Sequence, residues 1–105
     1  MIDYKTFTKL FYFIFTCKSF YFQSRCCFMA IMQYHNIFAR DKEEFEILYT
    51  AFYKLFSVEY KELKRVIEYY SKLKWLEATE NNTGFIVKIN YNEIENFRNK
   101  YLKTH

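Results

Sequence analysis

The chain has 105 residues, 51% of them hydrophobic, with a formal net charge of +4 and a pI of about 8.9. That length leaves room for one domain and no second core, and the apolar share builds a core without help from disulfides or metal. The mild basicity falls short of what dedicated DNA-binding domains often carry, so it favours a polyanionic partner only weakly.

Asp3 is placed to cap a first helix running to about Ser19, with Phe7, Leu10, Phe11, Ile14 and Cys17 on one face at helical spacing. The apolar run "LFYFIFTC", residues 10 to 17, is far too short to span a bilayer. It also lacks a small-residue cleavage site, so it is assigned to the fold rather than to export. The chain contains 13 Phe, 11 Tyr and one Trp, more rings than a domain this small buries. Phe13, Phe15, Phe20 and Phe22 widen the first stripe beyond a single contact. Segment 3 to 19 is therefore expected to be central to the core or to serve as an arm for a homodimer or a partner protein.

Ser24 is the expected cap of a second helix, residues 25 to 35, burying Cys27, Phe28, Ile31 and Met32 and closed by Tyr34 and His35. "NIFARD" breaks that pattern, with a short extended piece expected at Ile37 and Phe38. Asp41 and Glu44 have capping-box spacing, which predicts a helix from 41 to about 56 burying Phe45, Leu48, Phe52 and Leu55. Ser57 is the next cap position. It opens an amphipathic helix with Leu63, Val66, Ile67, Tyr70 and Leu73 on the core side. Lys61, Lys64, Arg65, Glu68 and Lys72 fall on the other side.

Trp75, Leu76 and Ala78 lead into a strand, "NNTG" supplies a turn in which Gly84 or an Asn takes positive φ, and "FIVKINY" alternates as the returning strand. Asn92 with Glu95 repeats the capping spacing before a last helix holding Ile94, Phe97, Tyr101 and Leu102. The fold class expected is mainly α with a small β-hairpin, about four to five helices in one domain over residues 1 to 105.

The pattern over residues 25 to 91, and above all 57 to 91, resembles a winged helix-turn-helix domain. "KEEFEILYTAFYKLF" and "EYKELKRVIEYYSKLKWLEA" would form the helix pair, and "ATENNTGFIVKIN" the wing. The resemblance implies that the second helix of the pair enters a nucleic-acid groove. The implied contacts are Tyr60, Lys61, Lys64, Arg65, Glu68 and Lys72, with Asn81, Asn82, Thr83 and Lys88 from the wing. Arg65 is the candidate for reading a base, since its planar fork matches guanine, and the lysines would hold phosphates. Segment 58 to 75 carries five cations against Glu59, Glu62 and Glu68, so the expected reading face is of mixed sign.

The three cysteines have neither metal-site nor redox-motif spacing; Cys26 and Cys27 are expected to be buried thiols in a reduced, cytoplasmic compartment. His35 and His105 stand beside no nucleophile or carboxylate at telling spacing. One glycine cannot form a phosphate loop, and no HExxH or GxSxG occurs, so neither an enzyme nor a cofactor or metal site is expected. Phe, Tyr, Ile, Asn and Lys, all with AT-rich codons, make up about half the chain. The expected function is therefore a small DNA-binding regulator or replication accessory of a phage, plasmid or mobile element, on duplex or single strands. The competing reading is a protein-interaction module of the same fold, such as a small subunit of a replication enzyme or an inhibitor of a host protein.

Overall fold

In the computed structural model, which describes residues 2–104, the elements run α1 (Tyr4–Thr16), α2 (Phe22–Phe38), β1 (Glu44–Leu48), α3 (Tyr49–Phe56), α4 (Tyr60–Lys72), β2 (Leu76–Glu80), β3 (Gly84–Ile89) and α5 (Tyr91–Thr104). The protein is thus mainly α with a small antiparallel sheet, as the periodicity implied. His105 lies outside the described residues.

Asp3 caps α1, its carboxylate accepting from the Thr6 amide at 2.7 Å. Phe7, Leu10, Phe13 and Ile14 bury the inner face of α1. The Phe13 ring packs against Phe97 and Tyr101 of α5, 6.2 and 5.6 Å between centroids. Helix α2 starts at Phe22, three residues before the expected residue 25, with Tyr21 at the N-cap position, so Ser24 is not a cap. It is buried within the first turn and takes a hydrogen bond from Arg65 instead. Ile37 and Phe38, expected as extended, form the last helical turn and are exposed. Cys26, expected to be buried, is exposed; Cys17 and Cys27 are buried.

The largest departure lies at residues 44 to 48. The capping box at Asp41 and Glu44 does not open a helix, because "EFEIL" alternates and its Phe45 and Ile47 face the core from a strand. Strand β1 pairs antiparallel with β3, Phe45 opposite Val87 and Ile47 opposite Phe85; β2 takes the other edge of β3, so the sheet order is β1-β3-β2. Central pairing satisfies the β3 backbone on both edges, which a short local helix could not do. Leu48 and Leu55, assigned to the core by helical spacing, are consequently exposed.

Gly84 does not supply positive φ to the hairpin turn. Asn81 closes that turn, its side-chain oxygen accepting from the Thr83 and Gly84 amides at 3.0 and 2.8 Å. The glycine is required by close approach: a Cβ there would lie 1.8 Å from the Ile47 carbonyl oxygen of β1. Positive φ occurs instead at Ser57 and Lys74. Ser57 therefore ends α3 rather than capping α4, its amide donating to the Tyr53 carbonyl at 2.8 Å. Lys74 sits in a Schellman turn, with Lys74 N–H to Ser71 and Trp75 N–H to Tyr70, both 3.0 Å. Likewise Asn90, not Asn92, opens α5, its carbonyl accepting from the Glu93 and Ile94 amides.

The core is built from rings. Trp75, fully buried, packs against Phe20, Phe28, Tyr70 and Phe97, which brings the α1–α2 turn, α2, α4 and α5 to one point. Each such pair adds about 0.5–1.5 kcal/mol beyond its buried area. The result fixes α4 by its inner face and leaves the outer one to solvent.

Candidate nucleic-acid interface

Helix α4 is strongly amphipathic. Leu63, Val66, Ile67 and Tyr70 are buried, and Lys61, Arg65, Glu68 and Lys72 project from the opposite side and are exposed. These four share one stripe because they recur at three- and four-residue spacing. Lys61 and Lys72 make no ion pair among the described residues.

Arg65 is engaged within its own helix. Its Nε donates to Glu62 at 3.2 Å, its Nη2 to the second oxygen of the same carboxylate at 2.5 Å, and Nη2 also reaches Ser24 Oγ at 3.2 Å. The Glu62 pairing is legible from i,i+3 spacing; the Ser24 contact needed the packing of α2 on α4.

Lys64 faces the hairpin rather than the outer stripe. Its ammonium lies 3.5 Å from Glu80 and 5.7 Å from the Tyr60 ring centroid. Glu80, at the end of β2, also accepts from the Tyr60 hydroxyl at 2.7 Å and from the Tyr49 hydroxyl. These two phenols, then Lys64, hold the Glu80 carboxyl below its ordinary range, and partial burial followed by the Glu80 hydrogen bond raises the Tyr49 phenol. The four side chains tie the start of α3, the start of α4 and the turn end of the hairpin together. Neither Glu80 nor Tyr49 was picked out from sequence, since they meet only in three dimensions.

Between α4 and β2 runs an open groove of about 500 Å³ lined by Lys64, Glu68, Lys72 and Glu80. Two cations and two carboxylates face each other there. At the hairpin tip Asn82 and Thr83 are exposed, whereas Asn81 is occupied by the turn and by Glu46, to which its amide donates at 3.0 Å. Lys88 lies away from this face. It pairs with Glu43 at 3.4 Å and lines a larger concavity of about 850 Å³ with His35, Tyr91 and Leu76. The candidate contacts therefore divide: Lys61, Arg65 and Lys72 lie on the outer stripe of α4, Tyr60 and Lys64 face Glu80 of the hairpin, Asn82 and Thr83 are exposed at its tip with Asn81 engaged in the turn, and Lys88 lies elsewhere.

The four aromatic candidates for a partner contact divide as well. Phe13 and Phe20 are buried inside the chain, which removes them from any surface; Phe15 and Phe22 are exposed. Burial pushes the Cys27 thiol up to about 12. Among the described residues no group of three His, Cys, Asp or Glu side chains is placed to hold a metal ion. No helix of those residues is long and apolar enough to cross a membrane. Comparison with protein-family models, with curated proteins and with solved structures finds no match.

Proposed function

We propose that this chain is a winged-helix protein that binds nucleic acid in the cytoplasm, as a DNA-binding regulator or replication accessory of a phage, plasmid or other mobile element. The observation that carries this reading is the order α2–β1–α3–α4–β2–β3 with β3 central, which presents the outer stripe of α4 beside a two-stranded hairpin. In that geometry Lys61 and Lys72 contact phosphates, Arg65 addresses a base edge, and Asn82 and Thr83 touch the backbone from the wing.

The internal ion pairs are a small obstacle. Arg65 and Glu62 are half exposed (51% and 35%), and pairs of that kind are worth about 0.2–1 kcal/mol. Releasing the Arg65 guanidinium to a bidentate contact with guanine therefore costs little.

The test is titration of labelled duplex and single-stranded DNA at two salt concentrations, with Lys61→Glu/Lys72→Glu as the variant. Reversing these two cations disturbs no ion pair among the described residues. Affinity should fall steeply with salt and drop at least about tenfold in the variant. Absence of binding at low salt refutes the reading.

A second reading is favoured by one observation, the engagement of Lys64 by Glu80 and of Arg65 by Glu62. It is a protein-interaction module of the same fold, such as a small subunit of a replication enzyme or an inhibitor of a host protein. The same titration separates the two.

A further inference from the structure

Beside α4 lies a surface of different composition. From residue 4 to residue 40 the chain carries five cations (Lys5, Lys9, Lys18, Arg25 and Arg40) and no carboxylate. Where α1 turns into α2, Phe15, Tyr21 and Phe22 are 50%, 86% and 61% exposed, and Lys18 is exposed between them. Isolated exposed rings are ordinary; three at one corner are not.

The corner is built rather than loose. The Arg25 guanidinium lies 5.4 Å from the Phe22 ring centroid and donates through Nη1 to the Phe15 carbonyl, so one cation joins the end of α1 to the start of α2. No carboxylate pairs with it among the described residues. The corner also adjoins the proposed reading helix. Phe20, in the same turn, packs edge-on against half-exposed Tyr69 of α4 at 6.2 Å, and Ser24 accepts from Arg65.

We propose that this corner extends the α4 face into a binding track for single-stranded nucleic acid, with unpaired bases stacking on Tyr21 and Phe22, a phosphate meeting Lys18, and the strand continuing onto α4 at Arg65. The proposal rests on the nucleic-acid reading above and decides the strandedness that reading leaves open. Paired bases present only their edges to a protein, because their faces are covered by their neighbours. Exposed rings therefore gain nothing from a duplex, but they gain from a strand whose bases are free to stack. Lys9 is paired with Glu95 of α5, but Lys18 and Arg25 have no carboxylate partner among the described residues, which suits a polyanion, whereas the α4–β2 groove opposes one with Glu68 and Glu80.

The experiment compares a labelled oligothymidylate with a duplex of equal length by fluorescence anisotropy, for the native protein, Tyr21→Ala/Phe22→Ala, Tyr21→Leu/Phe22→Leu and Lys61→Glu/Lys72→Glu. The single strand should bind at least tenfold more tightly than the duplex. Both ring-removing variants should lose that margin while holding duplex affinity within about twofold. The leucine pair keeps apolar bulk, so it guards against a loss of folding in the alanine pair and separates stacking from simple hydrophobic contact. A duplex preference, or ring variants that bind oligothymidylate like the native protein, overturns this inference alone if Lys61→Glu/Lys72→Glu still weakens duplex binding. No binding to either nucleic acid overturns both readings. A dimer in sedimentation that the ring variants abolish assigns the corner to a second copy of the chain and also overturns the inference.

Discussion

The hydroxyl of Tyr91 lies 3.0 Å from Nδ1 of His35, joining the first turn of α5 to the buried face of α2. The other ring nitrogen, Nε2, is 2.7 Å from the Lys42 carbonyl, which can only accept. In the neutral ring Nε2 therefore carries the proton, and Nδ1 takes the Tyr91 hydrogen. Phe45 stacks on the same imidazole at 4.4 Å. The histidine is thus a three-way tie between α2, the loop before β1 and α5.

Tyr91→Phe keeps the ring and removes the hydroxyl that donates to a buried acceptor. Stability should fall by about 1–2 kcal/mol, read as a lower urea midpoint with unchanged slope. A stability equal to that of the native protein would mean that the contact carries no net energy.

Alkaline pH should destabilise the fold. Burial raises the phenols of Tyr70 and Tyr91 above their ordinary value of 10.0, and burial of Cys27 pushes its thiol up to about 12 from 9.0. Each group holds its proton more tightly when folded. Its contribution is complete below the unfolded pKa and is lost as pH rises towards the folded one. Urea midpoints measured between about pH 8 and about pH 11 should fall, with each group adding up to about 1.4 kcal/mol per pH unit inside its own window. A flat profile over that range would show that these groups ionise without unfolding.

Gly84→Ala should be far more damaging than its chemistry suggests. The φ of Gly84 is compatible with alanine, but the added methyl would collide with the Ile47 carbonyl and drive β1 from β3. The expected loss is about 3 kcal/mol or more, at the top of the range for overpacking. Thermal or urea denaturation reads it directly, and a cost below about 1 kcal/mol would mean that the strands yield.

Glu80→Gln should strengthen nucleic-acid binding. The amide oxygen can still accept from Tyr49 or Tyr60, so the turn end of the hairpin holds, while Lys64 loses its counter-charge. One more phosphate contact should raise affinity about threefold or more and steepen the dependence on salt by roughly one unit. An unchanged slope would indicate that the Tyr60 ring alone keeps Lys64 from the ligand.

What the sequence decided by itself was local. Helical spacing identified the buried faces of α1, α2 and α4, Asp3 acted as the cap its position promised, and the alternation of residues 85 to 91 marked β3. Amphipathic periodicity is written within one element, so it survives whatever partner the element finds. What only the tertiary structure decided was everything requiring a partner. Asp41 and Glu44 spell a helix start, yet pairing with β3 turned the residues after them into β1, because a central strand must satisfy both of its edges. Gly84 looked like a turn residue and proved to be the point where two backbones meet. The same distinction divides the candidate site. Spacing placed Lys61, Arg65 and Lys72 on one stripe, but only folding brought Glu80 to Lys64 and Ser24 to Arg65, since residues far apart in sequence acquire a mutual distance only when the core sets it.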